Sequence, residues 1–333
     1  MIAIFKQKTP ANIFLLLIFG VLLKLPMFRD PYIPVARDED GILFKAILSF
    51  LEPTGRNFAA IYPILTFGFI FLQAILLNRF INNQRMISKP TYFPAMAYML
   101  ITSLFPEWNH FAPPVLVNTI LLLVLVGLFN IYNQQQARGA IFNIGLGLGV
   151  ASFLMFSSVT FIIWILLALM VMRPFRLNEW LICIVGVTTP FYFYAIYLFI
   201  TGGWDWNQIW PHFSLGLPAL GQSMNQSVWL AGSAFLVVIP FLAGGYYVQD
   251  SLRRMLIQVR KGWSLLLLFL LGAIFLPFVN NTGNFENWVL GAIPLAAFHA
   301  CTYLYAPLRI FPLLLFWLTV AFVLGYQYGG PGW

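Results

Sequence analysis

Residues 140–172 read AIFNIGLGLGVASFLMFSSVTFIIWILLALMVM, an apolar stretch with no charged side chain. A membrane-crossing helix needs about 20 such residues, so the stretch is too long for one crossing and short for two. How often it crosses decides the side on which every later loop falls. Dividing it near Ser157-Ser158 places Arg173, Arg176, Arg253 and Arg254 on the same side as Lys6, Lys8, Arg79, Arg85, Lys89, Arg138, Arg260, Lys261 and Arg309. That gathers thirteen of the eighteen Lys and Arg in loops on one side, the pattern expected of cytoplasmic loops. A single crossing would put Arg173, Arg176, Arg253 and Arg254 on the other side, so the sequence predicts two spans.

Working outward, apolar runs fall at 12–28, 59–78, 92–106, 113–132, 140–156, 158–172, 178–200, 228–248, 263–279, 288–305 and 311–328. The expectation is an all-α polytopic bundle of about eleven spans, a single integral membrane domain over 1–333, with the N-terminus cytoplasmic and the C-terminus outside. Composition agrees: 61% of residues are hydrophobic, 8% are charged and the mean hydropathy is +0.84, leaving too little polar surface for a water-soluble core. The runs are continuous rather than alternating, which points to helices and not barrel strands. Net charge is +8, yet the cations are spread through short connectors and form no block, so nucleic acid is not expected as a partner. Cys183 and Cys301 lie inside apolar runs and suggest neither a disulfide framework nor a thiolate metal site. The first run lacks a small-residue cleavage pattern and reads as an anchor.

Acidic residues sort opposite to the basic ones. Asp30, Asp38, Glu39, Asp40, Glu52, Glu107, Asp205 and Glu286 fall outside, and only Glu179 and Asp250 fall inside. Acids contribute little to topology, so this bias points to chemistry or ligands on the outer face. The densest charge lies in the first outer loop, 29–58, which reads Arg37-Asp38-Glu39-Asp40-Gly41 before apolar positions Ile42, Leu43, Ala46, Ile47, Phe50 and Leu51 at helical spacing. That spacing predicts an amphipathic helix lying in the outer interface and ending at Glu52-Pro53-Thr54-Gly55. The three carboxylates suit a divalent ion such as Mg2+ or Mn2+, with Asp38 and Asp40 as ligands, or a general base for an acceptor hydroxyl. The plainer alternative is that they cap and charge-compensate the helix N-terminus.

Other outer residues carry weaker signals. Glu107-Trp108-Asn109-His110 offers a carboxylate and an imidazole that could share a metal or proton with the first loop, although Trp108 reads more simply as an interface anchor. The second outer loop, 201–227, holds Trp204-Asp205-Trp206 and Trp210-Pro211-His212, an aromatic platform with Asp205 and His212 as hydrogen-bonding groups. Gly145, Gly147 and Gly149 read as close helix packing, His299 as an imidazole hydrogen-bonded to a neighbouring helix, and Lys24 as a snorkelling cation. Asn225-Gln226-Ser227 and Asn280-Asn281-Thr282 match the glycosylation acceptor pattern.

The vicinal pair Asp38-Glu39, a short helix, then Leu48 to Leu51, after a first span with its N-terminus inside, resembles the first loop of the GT-C class of membrane glycosyltransferases. Ala137-Arg138-Gly139 leading into Gly145, Gly147 and Gly149, with two short spans ending at Arg173-Pro174, is similar to the middle of such enzymes. The resemblance covers about the first 200 residues, and the chain departs from the class in lacking a substantial C-terminal soluble domain. It implies a polyprenyl-phosphate-linked sugar as donor at the outer leaflet. The same architecture equally resembles an uncharacterised family of bacterial multi-pass inner-membrane proteins, and a bacterial inner membrane is the expected location. Asp38 or Glu39 would then be the base or metal ligand, with Arg37 or Arg56 facing the lipid phosphate. Residues alone leave two further readings open: a non-catalytic subunit of a membrane-embedded envelope complex with membrane-protein partners, or a transporter or lipid flippase.

Overall fold

A computed structural model describes residues 2–7, 9, 11–203, 214–216, 224–279, 285–308 and 310–329. Among these, structure is helical, with only two single-residue antiparallel bridges, Asp40 with Met155 and Leu215 with Val279. After a single helical turn at Ile2–Phe5, thirteen α-helices follow in order among the described residues: α1 (Ala11–Leu23), α2 (Leu25–Arg29), α3 (Ile42–Asn57), α4 (Ile61–Asn83), α5 (Phe93–Ile101), α6 (Pro113–Asn130), α7 (Arg138–Leu154), α8 (Phe161–Met172), α9 (Leu177–Ile200), α10 (Met224–Ser251), α11 (Ile257–Phe275), α12 (Ala292–Tyr305) and α13 (Ile310–Gly329).

Each apolar run in the sequence holds a helix. Seven helical segments among the described residues are long and apolar enough to cross a membrane: 61–83, 113–130, 177–200, 227–254, 257–278, 285–305 and 310–328. Those at 11–23, 138–154 and 156–172 are shorter, and α5 has nine residues. The chain is thus a multi-helix membrane protein. The divided run breaks close to where charge placed it. Met155 is extended (φ −149°, ψ 109°), ending α7, and a 3-10 turn at Phe156–Thr160 redirects the chain into α8.

Burial orders the bundle. In the segment 285–305 the apolar window is 78% buried, against 22% in 177–200, so α12 lies at the centre and α9 at the rim. Every residue of α5 is buried as well, including Tyr98. Proline starts α5 and α6, where a missing N–H costs nothing. A polar knot binds the central helices. The Tyr98 hydroxyl donates to Gln73 Oε1, Gln73 Nε2 donates to the Val115 carbonyl (2.7 Å) and Thr119 Oγ1 (2.6 Å), and Asn118 Nδ2 donates to the Tyr98 hydroxyl (3.0 Å). Away from water such groups need partners within the protein.

The glycines expected to pack helices do so. A Cβ at Gly145 would lie 2.1 Å from the Cys183 carbonyl oxygen, and one at Gly149 would lie 2.6 Å from that of Val187, both on α9. Gly147 faces Val124 of α6 at 3.1 Å. His299 meets its expected neighbour: Nε2 stands 2.8 Å from the Val237 carbonyl on α10, an acceptor, so Nε2 carries the proton. Both cysteines are free and buried.

Lys24 does not snorkel. It falls between α1 and α2 and is fully buried, its ammonium donating to the Thr102 carbonyl (2.9 Å) and to Asn109 Oδ1 (2.5 Å). Thr102 ends α5, where carbonyls lack helical partners and the helix dipole favours a cation. That acceptor outcompetes the interface.

Candidate functional site

The first outer loop is docked, not loose. After α2 the chain runs without regular secondary structure through residues 31–37, turns at 38–39 and enters α3. Gly41 N–H donates to the Leu154 carbonyl (3.0 Å), tying the loop to the C-terminal end of α7. A Cβ on Gly41 would sit 2.1 Å from the Phe153 oxygen, so close approach, not unusual backbone geometry, requires glycine here. From that anchor α3 buries Phe44 and Leu48, one turn apart, against the bundle. This is the amphipathic helix expected, extended to Asn57 past Pro53.

The second anchor is an ion pair. Arg37 grips Glu286 with two parallel hydrogen bonds, Nη1 to Oε2 at 2.8 Å and Nη2 to Oε1 at 3.2 Å. His110 Nδ1 lies 3.7 Å from Glu286 Oε1, and the Tyr32 ring stacks on the His110 ring with centroids 4.1 Å apart. Nearby, the backbone of Phe285 is held at both groups: its N–H donates to Glu107 Oε2, and its carbonyl accepts from Trp108 Nε1 (2.8 Å). Trp108 is therefore buried inside the protein at 4% exposure and is not an interface anchor. The loop, the turn at 106–110 and the start of the 285–291 turn thus converge at one place on the bundle.

The acids of the loop divide into two kinds. Asp40 folds back so that Oδ2 accepts the Arg37 backbone N–H (2.8 Å), and no side chain caps α3, whose N-cap is Gly41. Hydrogen-bonded capping is thereby replaced by a turn internal to the loop. Asp38 and Glu39 are exposed, and neither carboxylate has a hydrogen bond or ion pair among the described residues. The Asp38 carbonyl does accept from Lys45 Nζ (3.0 Å).

Burial pushes the Asp40 carboxyl up from its ordinary pKa, with the Glu286 charge adding to the rise and Arg37 opposing it. Burial likewise raises Glu107. A raised folded pKa means that the native state holds protons the unfolded chain has lost, so stability is greatest on the acid side and falls as pH rises toward the folded value. In thermal unfolding followed across pH, wild type is expected to lose stability relative to Asp40→Asn over the interval just above the ordinary aspartate range. Parallel profiles would mean that Asp40 contributes nothing.

No group of three or more His, Cys, Asp or Glu side chains among the described residues is placed to hold a metal. Asp40 already accepts the Arg37 N–H, and Asp38 points outward without a converging partner. Among the described residues the pair therefore has no third His, Cys, Asp or Glu ligand converging on it.

Arg37 and Arg56, grouped in the sequence reading, are separated in function. Arg37 is committed to Glu286, whereas Arg56 is exposed and pairs only with Glu52 on its own helix (2.6 Å). Arg56 lines a groove of about 410 Å³ between residues 33–36 and α3. Asp205 and His212, with Asn280-Asn281-Thr282, Lys8 and Arg309, lie outside the described residues, as does the side chain of Asn225. Sequence reasoning missed Lys45 and Tyr62 at the groove and the pairing role of Glu286. Lys45 was legible, since positions 45, 49, 52 and 56 share a helix face; Tyr62, from the next helix, carried no local signal.

Comparisons with family models, with curated proteins and with solved structures find no match.

Proposed function

We propose that the chain crosses a bacterial inner membrane eleven times, with its N-terminus in the cytoplasm and its C-terminus outside, and is a glycosyltransferase-like protein using a polyprenyl-phosphate-linked sugar at the outer leaflet. The observation that carries this reading is the arrangement of the first loop. Arg37 and Gly41 fasten it to the bundle and Asp40 closes the turn between them, while Asp38 and Glu39 in that turn stay exposed and unpaired among the described residues, near a groove with cationic and apolar walls. Anchored flanks with free carboxylates suit a base that must be positioned yet available.

In the proposed step Asp38 or Glu39 takes the proton of an acceptor hydroxyl. The hydroxyl oxygen bonds to the anomeric carbon of the sugar as the bond from that carbon to the phosphate oxygen breaks, and the electron pair leaves with the polyprenyl phosphate. Arg56, solvent-facing and half-neutralised by Glu52, is the cation available to the departing phosphate.

The test is sugar transfer by purified protein supplied with a polyprenyl-phosphate donor, comparing wild type with Asp38→Asn and Glu39→Gln. Neither side chain makes a contact that folding requires, so unfolding should not change. Loss of the base should slow transfer by about 10²–10⁴-fold in one variant. Unaltered transfer in both would end this reading and return the acids to surface charge, as in a non-catalytic subunit.

A further inference from the structure

We infer that the groove beneath residues 33–36 is a binding site for the net-anionic phosphate headgroup of an amphiphile, with Lys45, Arg56 and the Tyr62 hydroxyl as its polar contacts. This deepens the reading above, on which it rests for the outer-face placement, but it requires no transfer reaction. One wall is the irregular segment Ile33 to Ala36; the other is a single face of α3, where Lys45, Leu48, Ser49, Glu52, Gly55 and Arg56 follow helical spacing. A volume of about 410 Å³ is in the range of small-molecule sites.

Three observations define the occupant. The first is charge. Lys45 has no carboxylate within ion-pair distance among the described residues, its ammonium bonding only the Asp38 carbonyl, and Arg56 is balanced by Glu52, so the lining carries one excess positive charge. The second is Tyr62, which is 3% exposed and whose hydroxyl has no partner among the described residues. That hydroxyl reaches the backbone of α3, since a Cβ on Gly55 would lie 2.4 Å from it. The oxygen itself stays accessible where Tyr62 lines the groove, so a ligand oxygen there can hydrogen-bond it. The third is the apolar rim: Ile33 and Val35 are 52% and 74% exposed and offer a tail a surface continuous with the lining. An anion with an apolar tail satisfies all three, whereas a bare ion leaves the rim in contact with water.

Geometry also links the site to the loop. Lys45 Nζ now donates to the carbonyl of Asp38, so a phosphate drawn to Lys45 competes for the hydrogen bond that holds the residue bearing the candidate base.

The test is native mass spectrometry of the full chain in detergent with four probes: dioctanoyl phosphatidylglycerol, farnesyl phosphate, dioctanoyl phosphatidylcholine and inorganic phosphate. The two net-anionic lipids should bind, and the Lys45→Gln/Arg56→Gln variant should bind them about tenfold more weakly. Tyr62→Phe should weaken them by a smaller factor. Ser49→Trp, which fills the groove from an exposed position, should block them with unfolding unchanged. Equal binding by wild type and the double variant, or equal binding of phosphatidylcholine, overturns the inference. Displacement of lipid by an equal concentration of inorganic phosphate would assign the site to the free ion and overturn the amphiphile. Intact binding in Asp38→Asn and Glu39→Gln that also retain full transfer would remove the transferase reading and leave the groove standing.

Discussion

Alanine at Gly145 is expected to cost about 3 kcal/mol or more. Added methylenes in a packed core usually cost ~1–3 kcal/mol, because neighbouring side chains shift to make room. Here the obstacle is not a side chain. The new Cβ meets the Cys183 carbonyl oxygen at 2.1 Å, and the contact is reciprocated, with Gly186 of α9 facing the Phe142 carbonyl at 2.4 Å. Backbone cannot rotate aside, so α7 and α9 must separate along their length. α7 also carries Leu154, the carbonyl that holds Gly41, so the first loop would lose its anchor with the helix pair. Gly68→Ala is the control: a Cβ there meets nothing within 4 Å, and no loss is expected. Unfolding in detergent would rank the two, and equal stability of both variants would contradict the packing account.

The second large effect is at the opposite end. Arg173 Nε and Nη2 bond the two carboxylate oxygens of Glu179 at 3.0 and 2.9 Å, while Nη1 donates to the carbonyls of Ile131 and Gln134 at 2.9 and 2.7 Å. One guanidinium thus joins the end of α6, the end of α8 and the first turn of α9, where an acid is favoured by the helix dipole. Both side chains are nearly buried, 7% and 10% exposed. Removing one partner leaves an uncompensated charge, a loss of about 3–5 kcal/mol. Arg173→Ala should be the worse variant, since it also strips two carbonyls of their donor and leaves Glu179 only Arg176 at 3.9 Å. A double-mutant cycle in chemical unfolding measures the coupling, and additive losses would show that the pair is not an interacting unit.

Arg173 also illustrates what the sequence could convey. Counting cations could group it with the other basic loops, because loop charge and run length are local properties that one strand of text carries. Its partner Glu179 is close in sequence, but the carbonyls it satisfies belong to a turn forty residues earlier. The same division runs through the whole chain. Apolar runs foretold where helices stand, and charge foretold the break that Met155 makes. Glycines at 145, 147 and 149 read as packing surfaces because nothing else explains small residues in an apolar helix. The partners were illegible. Trp108 looked like an interface anchor because an indole at a span end usually is one, and only the backbone of Phe285 explains its burial. Lys24 looked free for the same reason, until the end of α5 supplied better acceptors than the interface. In the candidate site the acids of residues 38–40 were conspicuous as a cluster, yet nothing local distinguished Asp40, folded into its own turn, from Asp38 and Glu39. Glu286, which immobilises Arg37, lies 249 positions away.

That separation also has a meaning in time. A chain emerging at about 5–20 residues per second needs roughly 12–50 s to bring Glu286 out after Arg37 has appeared. Leu154, whose carbonyl accepts the Gly41 N–H, emerges far sooner. The Arg37–Glu286 pair can therefore close only after the segment at 285–291 has been made, which makes it the later of the loop's two anchors.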